Sequence, residues 1–102
     1  MREVVVGKGP GAFGVTASVG PHTLVLDEPE ALGGADLGPS PHEAVLAALG
    51  ACTSATVKLY AKRKGWQVDD VAVTLSMVLE AGKKARIDKR VLITGALDAE
   101  QL

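Results

Sequence analysis

Cysteine occurs once in the 102 residues, at Cys52. A single thiol forms no internal disulfide and builds no cysteine-based zinc centre, and two histidines, His22 and His42, leave little else to hold a metal. No metal or other cofactor is expected. Aromatic residues make up only 3%, one each of Phe, Tyr and Trp, so the core must come from Val, Leu, Ile and Ala. Such a core is thin in a chain this short, because small domains bury a smaller share of their surface. Association with a second copy is a common remedy. An excess of one charge is also missing: 11 basic residues stand against 12 acidic ones, for a net charge of −1. That is no nucleic-acid footprint. The one dense basic stretch, Lys58–Lys64, falls at a predicted helix end, where cations complement the helix dipole. The start, MREVVVGKG, lacks the apolar core and cleavage-like site of a signal peptide. The central uncharged run, Ala44–Val57, spans 14 residues, where a membrane span needs about 20. These absences predict no membrane partner and a reducing, cytoplasmic location.

What is present predicts an α+β chain of one domain, residues 1–102. Strands are expected at Arg2–Val6, at Phe13–Val19 with Phe13, Val15, Ala17 and Val19 on one face, and at Thr23–Leu26. The glycine-rich GKGPGAFG and the Gly20–His22 segment read as turns between them. GKGPGAFG precedes no helix and holds no GK[ST], so a turn explains it better than a phosphate loop. Asp27–Pro41 is a long connection whose glycines and prolines block regular structure. Loops of this length are either functional or cover a sheet edge.

A long helix is expected next. Ser40 is an N-cap, Pro41 suits the first helical position, and Glu43 completes a capping box. Gly65 supplies the stop after Lys64. Gly50 inside the helix costs about 1 kcal/mol relative to Ala, which implies close packing there. Ala44–Ala55 carries no charge on any face, so the helix should be buried all round. A sheet can cover one side, and a second copy of the chain is the economical cover for the other. Val68–Glu80 alternates, with Val71, Val73, Leu75, Met77 and Leu79 on one face. A turn at Ala81–Arg86 and a return strand at Ile87–Thr94 follow, and Asp98 can begin another helix.

Cys52 has two readings. Free cysteine usually packs as a small hydrophobe; reactivity requires a thiolate, favoured by a cation or a helix N-terminus. The start of its own helix is twelve residues away and His42 ten, about 15 Å along the axis. An activating cation must therefore come from the loop, another strand or a second subunit. His22 and His42 read as surface residues, and Glu43 is explained by its cap.

The block DEPEALGGADLGPSPHEAVLAALGACTSATVKLYAKRKGW, Asp27–Trp66, resembles the OsmC/Ohr family. The resemblance rests on the DEP…GG loop, the GPSP entry to the helix, the LAALGACT run and the YAKRKGW exit, and with the flanking strands it spans nearly the whole chain. It implies an OsmC-like α+β fold: an antiparallel sheet, a long central helix and an intertwined homodimer with its sites at the subunit interface. It also implies a role in peroxide or osmotic stress defence, with Cys52 attacking a peroxide substrate and a thiol reductant restoring it. Family members assist that cysteine with an arginine and a glutamate. Lys8 is the best match for the arginine. His42 stands at the glutamate position, with Glu43 one residue along. The family's second cysteine, carried by a C-terminal helical segment after the LDAEQ position, has no counterpart in these residues. A one-cysteine peroxidase, a non-catalytic dimer binding a small apolar ligand and a structural stress protein therefore all stay open.

Overall fold

The computed structural model describes residues 1–79, 82 and 84–96. The turn expected at Ala81–Arg86 lies partly outside these residues, and the helix start at Asp98 wholly so. The order is β1 (Val5–Lys8), β2 (Val15–Val19), β3 (His22–Leu26), a 3-10 turn (Glu30–Leu32), α1 (Pro41–Lys64), β4 (Asp70–Val78) and β5 (Arg86–Thr94). Contacts divide the chain into two compact units, Met1–Val45 and Leu46–Leu102, with the boundary inside α1.

In the first unit the strands form an antiparallel sheet in the order β1-β2-β3. β2 and β3 are joined by a two-residue turn, since Val19 pairs with His22. β1 pairs from Val5↔Ser18 to Lys8↔Val15, so it lies later than the Arg2–Val6 expected from β-branching. Propensity marks a strand but does not set its register. Phe13 lies outside β2 for a local reason: the Gly9 N–H donates to the Gly14 carbonyl at 3.0 Å, which closes the turn around residues 10–13.

The connection after β3 is organised by Asp27, which is only 2% exposed. Its Oδ1 accepts the Glu28 N–H at 2.8 Å, and its Oδ2 accepts the Ala35 and Leu37 N–H groups at 3.2 Å each. The Asp27 N–H in turn donates to the Pro39 carbonyl at 3.0 Å. A buried charge is tolerated when hydrogen bonds replace its water, and here the loop backbone supplies them. The capping box is formed as expected: the Ser40 N–H donates to Glu43 Oε1 at 2.9 Å, and the Glu43 N–H donates to Ser40 Oγ at 3.2 Å.

In the second unit α1 ends in a Schellman motif. Gly65 adopts φ +72, its N–H donates to the Lys62 carbonyl at 3.2 Å, and the Trp66 N–H donates to the Ala61 carbonyl at 2.9 Å. β4 and β5 form an antiparallel ladder from Asp70↔Thr94 to Val78↔Arg86. Among the described residues the strands thus form two antiparallel sheets, where the sequence suggested one. α1 packs closely on β4 at Gly50: a methyl added there would lie 2.8 Å from Leu75 Cδ1 and 3.9 Å from Val73 Cβ. The glycine's packing role is as expected.

The helix is not buried all round within the single chain. Gly50 and Ala61 are its only buried residues, while Leu49, Leu59 and Tyr60 stay exposed, as do Val91 and Ile93 on β5. Its apolar residues are spread around the axis, so one sheet cannot cover them. Charges gather at the ends of α1, and the helix as a whole is long and apolar enough to cross a membrane by length and composition.

Candidate active site at Cys52

Cys52 sits in the middle of α1 and is exposed. Packing inside the chain therefore does not account for it. The thiol borders a cavity of about 260 Å3, lined by Leu49, Cys52, Thr53, Thr56 and Val57 of α1 and by Lys89 of β5. The helix supplies this wall through its own periodicity, because residues three and four apart share a face. Both threonine hydroxyls are turned back into the helix. Thr53 Oγ1 donates to the Leu49 carbonyl and Thr56 Oγ1 to the Cys52 carbonyl, at 2.9 Å each. Lys89 is thus the one charged residue among the described residues lining the cavity.

Lys89 was not anticipated. Its signal was nonetheless in the sequence: in the Ile87–Thr94 strand, Ile87, Lys89, Val91 and Ile93 alternate onto one face, and the lysine interrupts an apolar stripe. The ladder pairs Lys89 with Leu75, the residue that meets Gly50. Directly opposed residues share a face of the sheet, so Lys89 points to the helix side.

Lys8, His42 and Glu43 do not line this cavity. Lys8 ends β1, and His42 and Glu43 lie in the exposed first turn of α1. The Glu43 carboxyl is held below its ordinary value of 4.5, first by the Ser40 backbone N–H and then by the Ser40 side chain. That carboxylate is occupied as a cap. Among the described residues no cluster of three or more His, Cys, Asp or Glu side chains could hold a metal.

A second cavity, about 300 Å3, adjoins the first at Thr56 and Val57 and extends past Tyr60 and Ala61 to Trp66, Val68 and Ile93. Tyr60 and Trp66 pack edge to face with centroids 5.4 Å apart, and Lys64 Nζ lies 5.7 Å from the Tyr60 centroid.

The sequence matches the family model described as OsmC-like protein over residues 33–102. The chain belongs to the OsmC-like family. The match takes in α1, Cys52 and both strands of the second sheet. No curated protein gives a significant match. Among solved structures, the fold resembles a Vibrio cholerae protein assigned to organic hydroperoxide resistance, crystallised with captopril in one of its active sites. The TM-score is 0.64 at 18% identity, covering 97% of this chain and 71% of that one. At that identity the likeness speaks for the fold: the OsmC-like α+β arrangement extends through β1–β3, and α1 is an element of it rather than an isolated apolar helix.

Proposed function

We propose that this OsmC-like chain serves in peroxide defence, reducing organic hydroperoxides through Cys52 with an external thiol. The observation that carries this reading is an exposed cysteine on the wall of a cavity, on the long helix of an OsmC-like chain. The Cys52 thiolate attacks the distal peroxide oxygen. An S–O bond forms, the O–O bond breaks, and the departing alkoxide takes a proton to become an alcohol. The sulfur is left as a sulfenic acid. A first external thiol displaces water to give a mixed disulfide, and a second releases Cys52 and leaves as the disulfide of the reductant. Both reducing equivalents are assigned to an external thiol donor. Lys8 and His42 are assigned assisting roles by their sequence positions alone, and Glu43 is assigned to the cap.

The reading includes a homodimer, supported by the apolar residues that one copy leaves exposed on α1 and β5. Sedimentation at a single-chain mass across micromolar concentrations would remove it. The reaction is tested by trapping. After one equivalent of cumene hydroperoxide, dimedone should label Cys52, and without peroxide it should not. A thiol that stays unlabelled and reduced would sink the proposal.

The adjoining apolar cavity favours a second reading, a site for a small apolar ligand with or without catalysis. Its volume of about 300 Å3 is at the lower bound of small-molecule pockets. Trp66, the only tryptophan, lines it and reports on occupancy through its fluorescence.

A further inference from the structure

We propose that Lys89 makes the Cys52 cavity selective for negatively charged reactants, so that the favoured hydroperoxides carry a carboxylate near the peroxide group. This deepens, and rests on, the reading of Cys52 as the peroxide-reducing thiol. The inference comes from what surrounds the thiol. The helix side of the cavity offers two apolar side chains and two threonines whose hydroxyl protons are already given to the Leu49 and Cys52 carbonyls. Among the described residues no carboxylate lines the cavity. The ladder holds Lys89 opposite Leu75, on the helix side of the sheet. Its strand neighbours Asp88 and Arg90 point to the other face, as alternation requires, and Asp88 is engaged by Arg86 at 3.2 Å. No described carboxylate pairs with Lys89.

An ammonium on an otherwise apolar wall is the donor that remains for an incoming anion. It is exposed, so water and salt screen it and the preference is modest. A neutral hydroperoxide gains nothing from it. A carboxylated one is drawn toward the thiol and held by a charge-assisted hydrogen bond. The site then discriminates by charge at the reacting end, while the adjoining apolar cavity is indifferent to charge.

The test compares two alkylating reagents of similar size, anionic iodoacetate and neutral iodoacetamide, on the full chain. Both react with the same thiolate, so their rate ratio cancels any change in thiolate fraction. Lys89→Met should lower the iodoacetate to iodoacetamide ratio about threefold, and Lys89→Glu should lower it further. Lys89→Arg should keep it near wild type. Raising salt from low to high should lower the wild-type ratio and leave that of Lys89→Met flat. Circular dichroism checks that each variant folds. A ratio unchanged in both Lys89→Met and Lys89→Glu overturns the proposal, as does a ratio that falls in Lys8→Met instead. The peroxidase reading fails separately: a charge-dependent ratio with no peroxide turnover retains the selectivity and removes the reaction.

Discussion

Asp27 follows a strand and Cys52 sits in mid-helix, and the fold treats the two side chains in opposite ways. Asp27 is buried, and its two carboxylate oxygens accept three backbone N–H groups from its own loop. Cys52 is exposed beside a cavity, and its side chain makes none of the hydrogen bonds found among the described residues. A polar group whose bonding capacity is spent on the backbone holds structure and has little left for a ligand. A nucleophile with open space before it, and a lysine on the far wall, contributes little to the fold and is free for chemistry. The contrast assigns Asp27 to architecture and leaves Cys52 as the candidate for function.

The largest effect on stability should come from the buried carboxylate. Asp27→Ala leaves three loop N–H groups without their acceptor and should cost about 3 kcal/mol, read from urea unfolding. A loss under about 1 kcal/mol would mean that water or another acceptor replaces the carboxylate, and the contrast would weaken.

A smaller effect is expected at the helix start. Ser40→Ala should cost about 1 kcal/mol. The reciprocal partner adds a pH dependence. Folding holds the Glu43 carboxyl below its ordinary 4.5, so its stabilisation is complete above that value and is lost as pH falls through the lower, folded-state value. The stability gap between wild type and Glu43→Ala should therefore be full at neutral pH and shrink once the pH drops below about 4.5. A gap that widens in acid would contradict the capping role. The smallest effect should be at the thiol: Cys52→Ser should change stability by less than about 0.5 kcal/mol, as exposed substitutions do. A larger loss would move Cys52 toward the architectural side of the comparison.

The features legible in the sequence are those set by neighbours in the chain. Ser40, Pro41 and Glu43 fix the start of α1, and Gly65 its end, because capping involves residues within one turn. Gly50 signalled a close approach, which Leu75 makes. What depends on distant pairing was not legible. The acceptor role of Asp27 draws donors from positions 28, 35 and 37, which no local pattern connects. β1 took its register from β2 and so reached Lys8. Lys89 became a neighbour of Cys52 only through the β4–β5 ladder and the seating of α1 at Gly50. The sequence left a loop, a strand or a second copy as sources of a cation, and Lys89 of β5 lines the Cys52 cavity. Cys52 itself was legible as a candidate only through the OsmC resemblance, since the same small-residue run equally suits a packed helix.

The central claim is that Cys52 reduces peroxide, and steady-state consumption of cumene hydroperoxide with dithiothreitol tests it most directly. Wild type should consume peroxide well above the uncatalysed rate, and Cys52→Ser should fall to that background while folding normally. Equal, slow consumption by the two proteins would contradict the account and leave the apolar cavity beside Trp66 as the site of interest.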